Sequence, residues 1–175
     1  MKVNSIQIGG IYHDGKLGVR EVVSMDGAPG CGDTKITYRI LAAKIENEYS
    51  HAEQAMVSLI GSTCKCALAS FAAWAKIAVP VGQKAALLAD LAAKKVRLAP
   101  GEARFMASVG ESFDREFPLK AGAAVSFNSR ETRTVRGVEK KGLVTVKMGP
   151  PGSGGNIALT ELGVAWVRAN RKATA

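Results

Sequence analysis

Hydrophobic and polar positions alternate over residues 5–12 and 36–40, the pattern of half-buried strands, and residues 19–25 are strand-like in composition. The first run stops at His13-Asp14-Gly15-Lys16. Residues 19–25 end at the turn-rich stretch Asp26-Gly27-Ala28-Pro29-Gly30-Cys31-Gly32-Asp33. A further apolar, β-branched stretch lies within residues 53–68, around Met56-Val57-Ser58-Leu59-Ile60 and Thr63. From Leu68 the period becomes helical: Leu68, Phe71 and Trp74 fall on one face, and Pro80 closes the element.

The middle of the chain is helical in pattern. Leu87, Leu88 and Leu91 form one stripe within residues 85–96. Pro100-Gly101-Glu102 then opens a second helix, in which Phe105, Met106, Val109 and Phe113 recur at helical spacing. This pair is a poor helix-turn-helix. Its second member carries Glu102, Glu111, Asp114 and Glu116 against Arg104 and Arg115, and a net negative helix is unsuited to the major groove. Residues 81–118 therefore read as a helical connector.

Residues 119–175 run through the same order of features as residues 1–80. Ile6-Gln7-Ile8-Gly9 aligns with Leu119-Lys120-Ala121-Gly122, and Arg20-Glu21-Val22 with Arg133-Thr134-Val135. Ile36-Thr37-Tyr38-Arg39-Ile40 matches Val144-Thr145-Val146-Lys147-Met148, and Leu68…Phe71…Trp74 corresponds to Leu159…Leu162…Trp166. The expectation is a diverged internal repeat, with a strand carrying Arg133 and Arg136 and a hairpin tip at Glu139-Lys140-Lys141-Gly142. Odd separation on a strand would send those two arginines to opposite faces.

With a Gly-led first strand, an Arg-x-Val strand, a Thr-centred strand and a terminal helix, each half resembles a small SH3-like barrel of the KOW or Tudor type. The pattern Tyr12…Arg20-Glu21-Val22-Val23…Thr37-Tyr38…Phe71-Ala72-Ala73-Trp74-Ala75 is also similar to small accessory proteins of phages and plasmids. The resemblance implies an α+β chain with two small antiparallel SH3-like β-barrels, at 1–80 and 119–175, each ending in a short helix. It also implies binding of nucleic acid, ribonucleoprotein or protein tails in preference to catalysis. Tyr12, Tyr38 and Trp74 are the candidates for a Tudor-like aromatic cage around a cation.

Charge localises the expectation. The net +9 is divided as +1 over residues 1–80, +1 over 81–118 and +7 over 119–175. An acidic partner of the last third is implied, met by Arg130, Arg133, Arg136, Lys140, Lys141, Lys147, Arg168, Arg171 and Lys172. Arg168, Arg171 and Lys172 share a helical face near a C-terminus, where the helix dipole also suits them. Aromatic residues are scarce there, so duplex, structured RNA or a nucleoprotein surface fits better than stacked single strands.

Other chemistry finds little purchase. Gly149-Pro150-Pro151-Gly152-Ser153-Gly154-Gly155-Asn156 lacks the Gly-Lys-Ser/Thr ending of a phosphate loop, and its prolines remove amide donors. Cys31, Cys64 and Cys66 form no C-x-x-C pair, and no zinc-ligand spacing joins them to His13 or His51. The reading is a cytoplasmic, non-enzymatic binding protein that uses no cofactor, metal or membrane and has a basic C-terminal barrel for nucleic acid or a nucleoprotein complex. The rival reading is a protein–protein inhibitor of a host defence complex, of the anti-CRISPR kind, for which nucleic acid is irrelevant.

Overall fold

The structure is a computed structural model, and it describes residues 1–27, 33–116 and 118–171. The chain divides into two compact units, Met1–Leu88 and Ala89–Ala175. Among the described residues no helix is long and apolar enough to cross a membrane.

The first unit is built on β1 (Ile11–His13), β2 (Val19–Asp26), β3 (Lys35–Ala42), β4 (Asn47–Ser50), β5 (Ala55–Ser58) and β6 (Thr63–Ala67). α1 (Leu68–Trp74) and β7 (Ile77–Val79) follow. Five strands form an antiparallel sheet in the order β6-β3-β2-β1-β7, while β4 and β5 make a separate two-stranded ribbon. The alternation in β3 buries Ile36, Tyr38 and Ile40 on one face, where α1 adds Leu68, Phe71 and Ala72. Phe71 is the hub: Tyr12 stands edge-on to it at 5.6 Å, and Tyr38 and Trp74 lie at 5.5 and 5.3 Å. The helix ends at Trp74, before the expected stop at Pro80, because the next residues leave to pair β7 with β1.

The second unit takes its helices from both sides of a three-stranded sheet in the sequence. α2 (Lys84–Ala93) spans the boundary between units; α3 (Pro100–Glu116) follows, with Pro100 at its first position as expected. Then come β8 (Ala124–Phe127), α4 (Thr132–Lys140), β9 (Val144–Met148), β10 (Gly155–Leu159) and α5 (Glu161–Arg171). The antiparallel sheet has the order β8-β10-β9, so α4 crosses from one edge strand to the other. Val125, Phe127, Val144, Ile157 and Leu159 face a core shared with Met106, Val109 and Phe113 of α3, Val135 and Val138 of α4, and Val164 and Val167 of α5. The segment read as a connector thus supplies three large side chains to this core.

The α+β class stands, but the barrels do not. Both sheets are open: β6 and β7 bound the five-stranded one, and β8 and β9 the three-stranded one. The repeat fails at its best-matched point. Arg20 lies on β2, whereas Arg133 lies on α4. Val135 and Val138, three residues apart, are both fully buried, a spacing that only a helix puts on one face. A 3-10 turn (Ser129–Glu131) leads into the helix, and a capping box starts that turn: Asn128 Oδ1 accepts from the Arg130 amide at 2.9 Å, and the Asn128 amide donates to Glu131 Oε2 at 2.9 Å. Gly142 does adopt the left-handed conformation expected of it, at φ +73°, but it closes a helix instead of turning a hairpin.

Candidate nucleic-acid interface

On a helix, Arg133, Arg136 and Lys140 share a face instead of dividing between two. They are exposed and point away from the buried Val135 and Val138. Arg130, also exposed, sits in the short 3-10 turn (Ser129–Glu131) that leads into α4. Arg130, Arg133 and Lys140 make no ion pair among the described residues; Arg136 shares the carboxylate of Glu139 at 2.6 Å, an exposed i,i+3 pair that holds its guanidinium only weakly. Arg133, Arg136 and Lys140 line a groove of about 450 Å³ together with Ala99, Gly101 and Glu102 at the start of α3.

Among the described residues Glu102 is the one acid that lines that groove. Its carboxylate lies over Gly137, accepts from the Ala99 amide at 2.8 Å and pairs with Lys141. The Lys141 hydrogen bond, with the Ala99 amide second, holds the Glu102 carboxyl below its ordinary pKa of 4.5, so it is ionised at neutral pH. Lys141 is therefore engaged within the protein, where the sequence placed it free on a hairpin tip.

The other predicted cations separate. Lys147 is exposed on β9, across from Asn156, which accepts a hydrogen bond from Ser126 at 2.8 Å; this row crosses the outer face of the sheet. Arg168 donates to the Leu119 carbonyl at 3.4 Å, and Arg171 donates to the Gly110 carbonyl, so the α5 arginines fasten helix to neighbouring backbone. Lys172 lies outside the described residues. The loop between β9 and β10 returns to the start of the α4 segment, since Gly154 abuts Phe127 and Asn128 backbone. Loop and cationic helix therefore share one end of the unit. The signal missed in the sequence was Asn128-x-x-Glu131, a helix start read as a strand.

The aromatic cage is filled from within. The Arg20 guanidinium lies 4.4 Å from the Tyr38 ring centroid and 4.0 Å from that of Trp74. Burial raises the pKa of Tyr38 and of Cys66 while Arg20 opposes both. Among the described residues no three His, Cys, Asp or Glu side chains gather as a metal would need.

No family model, curated protein or solved structure matches the chain.

Proposed function

We propose that the second unit binds duplex DNA, with the outer face of α4 as its main contact. The observation that carries this is the grouping of Arg133, Arg136 and Lys140 on one exposed helical face, preceded by Arg130. Residues 89–175 hold fifteen basic against eight acidic side chains, so attraction to phosphate acts on the whole unit. A helix about 10–12 Å across matches a major groove about 12 Å wide, whereas the major groove of duplex RNA is too narrow and deep to admit it. The β9–β10 loop, uncharged at Pro150-Pro151-Gly152-Ser153, stands beside the start of the α4 segment and is placed to follow the adjacent backbone, with Lys147 behind it.

The reading is of a binder, not an enzyme. Glu102, the sole acid among the described residues of the groove, is held ionised by Lys141, which suits it to neither proton donation nor proton uptake near neutrality. The test is fluorescence anisotropy of the full chain with a mixed-sequence DNA duplex and an equivalent RNA duplex. Four phosphate contacts predict a loss of DNA affinity of about a hundredfold between 50 and 200 mM salt. Salt-insensitive binding, or equal affinity for duplex RNA, would sink the proposal.

A further inference from the structure

The cluster around Arg20 in the first unit holds two thiols that have no part in the DNA surface. Cys64 and Cys66 are alternate residues of β6, an edge strand, so both side chains leave the same face of it. Both are free and half-buried, while Thr63, Lys65 and Ala67 are exposed. Their cross-strand partners are the buried Tyr38 and Ile36, which puts the pair on the core side of the sheet. Each sulfur meets a hydrogen-bond donor: the Tyr38 hydroxyl donates to Cys64, and the Phe71 amide donates to Cys66. The Arg20 guanidinium, 4.4 Å from the Tyr38 ring centroid, adds a positive charge that favours the Cys66 thiolate. Two donors and a cation around two sulfurs suit sulfur that carries negative charge.

We propose that Cys64 and Cys66 bind a copper(I) ion between them as a two-coordinate thiolate site. The number of ligands selects the ion. Among the described residues no third His, Cys, Asp or Glu joins the pair, which fails the four ligands that zinc takes in a structural site. Thiolate is a soft ligand that selects copper(I), a closed-shell ion stable with two donors in line. The reach fits as well. Residues two apart on a strand have Cα atoms about 7 Å apart, and with metal–sulfur bonds of about 2.3 Å a linear S–Cu–S unit spans roughly 4.6 Å. Side-chain rotation takes up the difference. Both thiols release their protons to solvent, the ion brings one positive charge, and the single negative charge that remains lies in the field of Arg20; no electron is transferred. Burial holds the Cys66 thiol protonated until the metal displaces the proton. The site does not depend on the DNA reading.

Copper(I), offered as its bicinchoninate complex to the full, reduced chain without oxygen, tests it through the loss of that complex's visible colour. The wild type withdraws one copper per chain, and X-ray absorption of the loaded protein shows two sulfur neighbours. Cys64→Ser and Cys66→Ser each lower the affinity by more than about a hundredfold, beyond the loss expected for an outer partner of a ligand. Cys31→Ser binds as the wild type does, and circular dichroism checks that all three variants fold. A wild type that leaves the copper with bicinchoninate overturns the proposal. So does a folded Cys64→Ser or Cys66→Ser that binds as tightly as the wild type. A third sulfur or a nitrogen neighbour in the wild-type spectrum also overturns it, and that measurement needs no variant to fold.

Discussion

Arg20 and Arg133 occupy matching positions in the two halves of the sequence, yet they meet opposite fates. Arg20 lies against the rings of Tyr38 and Trp74, while Arg133 stands on the outer face of α4, and among the described residues neither has an acid to answer it. A half-buried guanidinium held against two aromatic rings is attracted by their quadrupoles and fastens β2 to β3 and α1. One that remains hydrated keeps its donors for a phosphate. The lesson is that positive charge says little about function until its neighbours are known.

The largest effect that would break or sharpen this contrast is charge reversal on α4. Arg133→Glu, Arg136→Glu and Lys140→Glu together should lower duplex DNA affinity by more than about a hundredfold at 50 mM salt, while Tm stays close to wild type. An affinity within a few fold of wild type would remove α4 from the interface. Arg20→Met is the mirror experiment. It should cost about 1–2 kcal/mol of stability, seen as a lower thermal midpoint, and leave DNA affinity within twofold. If instead DNA binding fell with Tm unchanged, Arg20 would belong to the interface after all.

A smaller gain is expected at Glu102. Glu102→Gln neutralises the acid in the groove and frees Lys141, so affinity should rise about three- to fivefold and the salt slope steepen by about one. An unchanged slope would mean that Lys141 stays out of reach of the phosphates. The smallest effect is in pH. Because its folded pKa lies below its ordinary 4.5, ionised Glu102 contributes stability above that pH, and the contribution is lost as pH falls through the lowered value. The acid limb of a stability titration should therefore be shallower in Glu102→Gln than in the wild type.

How much was legible in the sequence follows from how one-sided the burial is. β3 announces itself because one face is wet and the other dry, whereas β2, irregular and buried at both Val19 and Val22, is recognised by its β-branched content; the expected runs of 19–25 and 36–40 lie inside the strands found. α3 is equally plain, with Pro100 at its start and Met106, Val109 and Phe113 buried along one stripe. α4 was lost to an alignment. A match of Arg-x-Val to Arg-x-Val imposed a strand on residues whose own spacing, Val135 to Val138 after Asn128-x-x-Glu131, is helical. That one error split Arg133 from Arg136 and moved Lys140 and Lys141 to a loop. The pairing of Lys141 with Glu102, 39 residues away, and the contact of Arg20 with Tyr38 and Trp74 are tertiary contacts with no local periodicity to betray them. Closure of a barrel was likewise illegible, since it depends on which edges meet.

The approach of Gly154 to the backbone of Phe127 and Asn128 bears on how this surface could be taken apart. A single methyl group at that position would act as a wedge between the β9–β10 loop and the start of the helix segment, and the backbone there, at φ +87°, already disfavours any side chain. Such a change alters no charge and removes no donor from α4. It therefore offers a mechanical separation of loop from helix, a means of asking how much grip comes from each when both keep their chemistry intact.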